Sequence, residues 1–315
     1  MYGKIVKAVS GFYYVRMENY TLIECKAKGS FKHNDVTPLV GDDVQFEVTD
    51  GPNRKGLIVD IYPRFNELKR PPVANVDQAM VVFAVRNPNP NLSILDRFLC
   101  LMKKQGIETI IVFNKKDLAG RTDIKDLKKI YKNAGCKLYF TAATENGKGM
   151  FFLNRQLQKK ITVMAGPSGV GKSTILNVLS NNNEEIVQTG SISEKLGRGK
   201  HTTRHNEIYW VQKKIQIIDT PGFTSLLVNS DDYTREELQD AFPEFAPFKE
   251  QCKFKNCSHI KEKDCAVKKA VDEDKIPVSR YNSYKSIYQE LKSQEKYSER
   301  KRVQLVHAFP LKGKI

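Results

Sequence analysis

The sequence predicts an α/β protein in three parts: a small N-terminal β-barrel, a central parallel sheet with helices, and a mainly helical C-terminal part built round a cysteine–histidine cluster. Three observations predict it. Short β-rich segments fill the first 65 residues, apolar strands alternate with helical stretches from Val76 onward, and three of the six cysteines fall between positions 252 and 265. The expected boundaries are 1–68, 69–228 and 229–315.

The barrel rests on four segments, GKIVKAVSGFYYVRM, TLIECKAKG, VGDDVQFEVTD and KGLIVDIYP, separated by Gly, Asp and Pro turns. Short strands at this spacing favour a small closed sheet. An OB-type barrel is the expectation, although pattern alone does not separate it from an SH3-like barrel or from a purely structural β-domain. The stretch NELKRPPVANVD (66–77) reads as a linker, because Pro71-Pro72 cannot continue helix or strand ladders. Beyond it, VDQAMVVFAV, IETIIVFN, KLYF, KITVMAG and KIQIID read as strands. SILDRFLCLMKKQG, TDIKDLKKIYKNAG and KSTILNVLS read as helices, the first two closing on Gly106 and Gly135. Such alternation implies a parallel sheet covered by helices on both faces. After Gly222 the pattern turns helical and polar; 279–302 is a charged helical stretch, and the tail past Val303 reads as irregular.

Composition narrows the class. With 40% hydrophobic residues in 315, the chain can bury a sizeable core and is not a disordered one. No apolar run approaches the roughly 18 residues of a membrane helix. Met1-Tyr2-Gly3-Lys4 leads into alternating residues without a signal-peptide core, so a soluble cytoplasmic protein with no membrane partner is expected. The net charge is +16, of which residues 71–222 carry +11. That excess favours a polyanionic partner such as RNA through counterion release; a plain solubility charge is the alternative. Cys25, Cys100 and Cys136 lie in or beside apolar stretches and read as buried thiols.

The strongest chemical signal is GPSGVGKS, Gly166-Pro167-Ser168-Gly169-Val170-Gly171-Lys172-Ser173, directly after Ala165 at a strand end. It fits the P-loop pattern in its required strand–loop–helix context. Glycines let backbone N–H groups surround phosphates, and the following helix adds its N-terminal dipole. Lys172 is placed to reach the β- and γ-phosphates, and the Ser173 hydroxyl to ligate Mg²⁺. NKKD, Asn114-Lys115-Lys116-Asp117, ends another apolar strand. Its carboxylate can accept hydrogen bonds from N1–H and the 2-amino group of guanine, which adenine cannot offer. By itself this tetrapeptide is as often a turn before a helix cap; beside a P-loop it points to GTP and GDP. DTPG begins at Asp219, placed to hold Mg²⁺ through water, and ends at Gly222, whose N–H can meet the γ-phosphate.

Between the P-loop and DTPG lies GRGKHTTRH (197–205). Thr203, with Thr202 second, is a candidate to complete the Mg²⁺ shell, against a plain solvated basic loop. TAA, beginning Thr141-Ala142, is a weaker candidate to back the guanine ring with small residues and backbone N–H groups. The motif order is rotated relative to Ras-like proteins, because NKKD precedes the P-loop. Such permutation is tolerated where termini lie close together on the surface. As a result the chain leaves the DTPG loop directly into the C-terminal part.

Cys252-x4-Cys257-x-His259-x5-Cys265 supplies three thiolates and an imidazole, a closed tetrahedral set that favours structural Zn²⁺ over catalytic metal. Three buried cysteines with a surface histidine is the plainer reading, opposed by the polar surroundings Lys253, Lys255, Asn256, Ser258 and Lys261. From 249 to 269 there are seven lysines against three acidic residues, a strip for phosphate contact or simply a solvated face.

Taken together, the permuted NKxD, GxSGVGKS, Gly-x-His-Thr-Thr, DTPGF and Cys-x4-Cys-x-His-x5-Cys behind a β-barrel resemble the ribosome small-subunit-dependent GTPase A family (RsgA, also called YjeQ or YloQ), over about residues 1–295. The resemblance implies an OB-fold, a circularly permuted P-loop GTPase domain and a zinc-binding domain holding one Zn²⁺ per chain. It also implies a late role in maturing the small ribosomal subunit, with rRNA contact and stimulation of GTP hydrolysis by the subunit; a monomer is expected. The alternatives are an RNA-binding assembly scaffold with a structural nucleotide, or a permuted GTPase acting on another RNA or protein. Phe223 stands where Ras-like enzymes carry the water-orienting glutamine, so intrinsic hydrolysis is expected to be slow. His201 is the candidate in-chain group to orient water, and contact with rRNA is its competing reading. Ser168 replaces the asparagine of potassium-activated GTPases, which leaves potassium dependence open.

Overall fold

The computed structural model describes residues 1–29, 31, 36–69, 71–144, 147–180, 206–212, 214–219 and 228–308, with all their side chains except Gln212, Asp219 and 296–308. Along the chain, strands β1 (Tyr2–Val9), β2 (Phe12–Arg16), β3 (Leu22–Ala27), β4 (Asp43–Asp50) and β5 (Lys55–Ile61) come first, then the short β6 (Glu67–Lys69) and β7 (Pro72–Ala74). There follow β8 (Gln78–Ala84), α1 (Leu92–Lys104), β9 (Glu108–Asn114), α2 (Arg121–Tyr131), β10 (Lys137–Phe140), α3 (Met150–Leu157), β11 (Lys160–Ala165), α4 (Lys172–Ser180), β12 (Ile208–Gln212) and β13 (Ile215–Asp219). Helices α5 (Ala266–Asp272) and α6 (Val278–Ala308) close the sequence of elements. The chain divides into two compact units: Met1–Pro90 with Ile107–Gly120 and Lys137–Thr224, and Asn91–Gly106 with Arg121–Cys136 and Ser225–Ile315.

In the first unit, β1 to β5 close into a barrel of order β1-β2-β3-β5-β4, with β3 and β5 parallel and the other pairs antiparallel. Period-two alternation drives it: Ile5, Val15, Ile23, Cys25, Val44, Phe46 and Ile58 point inward and are buried. This is the expected OB-type barrel. The predicted linker is corrected: β6 and β7 form a hairpin with Leu68 opposite Val73 and Lys69 opposite Pro72. Pro72 is tolerated because it opens its strand, where a missing N–H breaks no continuing ladder. Asn66 braces the hairpin, its side chain donating to Val76 O at 2.7 Å and accepting from Val76 N–H at 2.9 Å.

The sheet of this unit has order β10-β9-β8-β11-β13-β12. Five strands are parallel, as expected; β12 is antiparallel to β13 and its sequence, IYWVQ, was not among the predicted strands. Every residue of β8, QAMVVFA, is buried, as a central parallel strand requires. Met80, Val82, Ile110 and Val112 pack with Leu153 and Leu157 of α3 and with Ile175 and Leu179 of α4.

In the second unit, Phe242, Phe245 and Tyr284 form an aromatic centre. The two phenylalanines stack at 5.5 Å, and Tyr284 meets Phe245 edge-on at 5.0 Å. Helix α6 runs through Ala308, so the segment past Val303 is helical as far as that residue. The scattered cysteines are buried at positions 25 and 100 and half-buried at 136; burial pushes the thiols of the first two up to about 12 and the third to about 11.

An ion triad also sits in this core. The Arg280 side chain, 1% exposed, donates to Asp96 at 2.6 Å and to Glu244 at 2.6 and 3.2 Å, while Tyr131 Oη–H donates to Asp96 at 3.0 Å. The triad joins α1, α2, the turn at 243–245 and α6. Burial opposes its charge, but the two carboxylates outweigh burial and hold the guanidinium protonated. Replacing Arg280 by Met leaves two buried carboxylates uncompensated, a cost of about 3–5 kcal/mol. Urea unfolding of Arg280→Met should register that loss; a change under about 1 kcal/mol would show that the triad does not hold the unit together.

Candidate functional site: a nucleotide-loop cluster and a metal centre

Strands β9, β8, β11 and β13 are parallel neighbours, so their carboxyl ends open on one edge. NKKD leaves β9, the P-loop leaves β11, and DTPG starts at Asp219, the last residue of β13 and the register partner of Met164. Three strand spacings separate β9 from β13, about 14 Å. Ligands of open α/β sheets bind at such an edge.

Asn114 binds these loops together. Its side chain is 2% exposed. The amide N–H donates to Val170 O in the P-loop at 3.0 Å. The amide oxygen accepts from Thr141 Oγ1 at 3.0 Å and from Ala143 N–H at 3.3 Å. Gly171, at φ +94°, makes room for it: a Cβ there would stand 2.3 Å from Asn114 Nδ2. Gly166 is pressed on β8, where a Cβ would meet Val82 O at 2.2 Å. At both places the backbone approach excludes a side chain.

The remaining predicted residues fall round this frame. Ala165 ends β11, buried, and Pro167, Ser168 and Gly169 form the outer loop, the last two exposed. Lys172 and Ser173 open α4, whose first N–H groups therefore face the loop. The Lys172 ammonium donates to Gly166 O at 2.8 Å and Pro167 O at 2.9 Å. Lys115 adopts a left-handed conformation and its ammonium donates to Asn87 O. It turns the chain into a 3-10 turn, Lys116–Leu118, that leaves Asp117 exposed. Lys116 N–H donates to Thr141 O at 2.9 Å. Thr141 and Ala142 are buried, and the Ala142 N–H already donates to Lys148 O at 2.9 Å. His201, Thr202, Thr203, Gly222 and Phe223 lie outside the described residues.

In the second unit, the ligand atoms of Cys252, Cys257, His259 and Cys265 all lie within 4.8 Å of one another. Bonds of about 2.3 Å to sulfur and 2.0–2.1 Å to nitrogen make a tetrahedron with edges near 3.8 Å (S···S) and about 3.5 Å (S···N). The observed edges are 3.9 Å for Cys252–Cys265, 3.6 Å for Cys252–His259 Nδ1 and 3.3 Å for His259 Nδ1–Cys265. Burial pushes the Cys257 thiol up to about 12 and raises Cys265, so without a cation these sulfurs hold their protons; a bound metal reverses that balance. His259 is lowered by burial and stays neutral, as a ligand must.

Residues that carried no sequence signal complete this centre. The Gln239 side-chain oxygen pairs with His259 Nε2 at 2.9 Å, which leaves Nδ1 as the ligating nitrogen. The hydroxyls of Tyr281 and Tyr284 donate to His259 O at 2.6 Å and Ser258 O at 2.7 Å. Glu262 accepts from the N–H groups of Ser258, Ile260 and Lys261. Burial pushes its carboxyl upward, but these hydrogen bonds prevail and hold it at about 2.

A P-loop, an NKxD turn and a DxxG strand end on one sheet edge define a GTPase; their order along the chain makes it a circularly permuted one, here with a Cys3His centre. Comparison with known proteins agrees. A family model described as RsgA GTPase matches residues 61–229, and one described as RsgA N-terminal domain matches 2–58. A third, described as a 50S ribosome-binding GTPase, matches 161–306, a span that leaves out the NKKD loop. The small ribosomal subunit biogenesis GTPase RsgA of Agathobacter rectalis is 46% identical over 307 residues, covering 94% of this chain and all of that protein. Its namesake from Alkaliphilus metalliredigens is 46% identical over 295 residues, with 94% and 99% covered. The crystal structure of YjeQ from Thermotoga maritima superposes with a TM-score of 0.76 at 34% identity, covering 92% of this chain and 98% of that one. That of YloQ, a circularly permuted GTPase, gives 0.72 at 36%, covering 93% and 95%. The chain belongs to the RsgA GTPase family.

If Asn114 and Gly171 fix the P-loop as described, Gly171→Ala should weaken GDP binding by about ten-fold or more in a calorimetric titration, with the circular dichroism spectrum retained. Unchanged affinity would show that the close approach is dispensable.

Proposed function

We propose that this GTPase acts on the small ribosomal subunit late in its maturation, binds its rRNA while loaded with GTP, and leaves after hydrolysis to GDP and phosphate. The observation that carries the reading is the joining of the NKKD, P-loop and Thr141 loops through the one buried amide of Asn114. The target is supported by the relatives named small ribosomal subunit biogenesis GTPase and by the net charge of +16.

In this reading Asp117 accepts from the guanine N1–H and 2-amino group, with Thr141 and Ala142 against the ring. P-loop N–H groups from Gly166 to Ser173 cradle the phosphates. Lys172 gives up its two carbonyl contacts for the β- and γ-phosphates. Ser173, Thr203 and Asp219 hold Mg²⁺, which supplies charge neutralisation at the phosphates. The Gly222 N–H meets the γ-phosphate, so that loop and the one carrying Thr203 order with GTP and release with GDP. Phe223 cannot hydrogen-bond water, so intrinsic turnover is slow and the subunit stimulates it; His201 orients the water. The barrel (1–68), nucleotide (69–228) and zinc (229–315) parts act together as a cytoplasmic monomer.

Cys252, Cys257, His259 and Cys265 hold one structural Zn²⁺. Metal analysis of the purified protein should return one equivalent, and stripping it with a chelator should lower the melting temperature; a protein equally stable without metal would refute this assignment.

Co-sedimentation with purified small subunits tests the switch. Wild type should bind with a non-hydrolysable GTP analogue and dissociate with GDP, and Lys172→Ala should lose the difference. A Lys172→Ala protein that binds and leaves normally would indicate a scaffold with a structural nucleotide. His201→Ala should abolish subunit-stimulated hydrolysis with binding retained; full stimulated turnover would exclude His201 from orienting the water.

A further inference from the structure

A cavity of about 740 Å³ lies inside the first unit, where the barrel meets β12 and β13. It is separate from the nucleotide loops, and its lining is rich in exposed aromatics: Tyr2, Tyr20 and Tyr62 are 63%, 59% and 41% exposed. Tyr2 and Tyr62 face one another with ring centroids 5.9 Å apart. Rings so exposed, gathered in one concavity, are what a stacking ligand requires.

Arg16 stands in this cavity with its guanidinium 4.5 Å from the Tyr20 centroid and 3.7 Å from that of Trp210. Among the described residues no carboxylate pairs with it. The neighbouring charges are otherwise spent: Lys4 pairs with Asp43 at 2.8 Å, and Glu18 is exposed on the β2–β3 turn. A guanidinium steadied by rings, with its N–H fork uncommitted, is shaped for a phosphate. Aromatic faces and a phosphate fork together match one unstacked nucleotide.

We propose that this cavity captures one unstacked nucleotide of single-stranded RNA, its phosphate on Arg16 and its base among the tyrosines. The inference rests on reading RNA as the partner of this GTPase and assigns a second, catalytically silent nucleotide site. Trp210 is the only tryptophan of the chain and therefore reports on this cavity alone.

The test uses the full chain saturated with GDP and Mg²⁺, so that the guanine site is filled. Titration with a short oligoadenylate should change Trp210 fluorescence. Arg16→Met should weaken oligoadenylate by about ten-fold or more while leaving GDP affinity intact. Tyr20→Ala, read by anisotropy of a labelled oligonucleotide, should weaken it as well. Unchanged Trp210 emission at concentrations where the labelled oligonucleotide binds would overturn the proposal, as would equal affinity of Arg16→Met. AMP binding as tightly as the oligonucleotide would overturn the RNA assignment in favour of a free nucleotide. Subunit binding that fails to depend on GTP, with Trp210 still responding, would instead overturn the proposed function.

Discussion

The buried amide of Asn114 must be satisfied on both sides, and this requirement organises the nucleotide site. It has a donor and an acceptor to place, and a polar group this enclosed is costly if left unpaired. Its partners come from the P-loop on one side and the Thr141 turn on the other. The order of β9, β8 and β11 brings those partners within reach, and Gly171 supplies the missing volume. Three segments far apart in sequence are thereby fixed by one side chain, on a sheet whose central strand is buried throughout.

Motif order along the chain matters little to this geometry. The requirement is that β9, β8, β11 and β13 end on the same edge, and parallel strands do so whatever point the chain starts from. The rotation does change which segment the nucleotide loops lead into. In this chain β13 and its DTPG loop run on into the segment that carries the metal centre, whose own core closes through Phe245, Tyr281 and Tyr284 against His259. The metal ligands and the aromatic core of the second unit are therefore one packing problem.

Much of this was legible in the sequence, for a physical reason in each case. Short β-rich segments between Gly, Asp and Pro turns marked the barrel strands, and the P-loop spacing marked Gly166 to Ser173. Cysteines among lysines marked the metal centre. Local pattern failed where the determinant was non-local. Pro71-Pro72 read as a break, yet hairpin pairing accommodates Pro72 at a strand start. IYWVQ, a short edge strand between polar neighbours, did not stand out as β12. Arg280, Asp96 and Glu244 carried no local signal of their own; only the fold brings them together in a core. Gln239 lies 20 residues from His259, and nothing in its surroundings marks it as a partner.

The central claim is that Asp117 reads the base by accepting two hydrogen bonds from guanine. Exchanging its carboxylate for an amide tests this most directly, because an amide presents one acceptor and one donor instead of two acceptors. Measured by competition calorimetry, Asp117→Asn should bind GDP far more weakly and gain affinity for xanthosine diphosphate, whose 2-oxo group accepts where guanine donates. A variant that keeps the wild-type preference for GDP over xanthosine diphosphate would contradict the account.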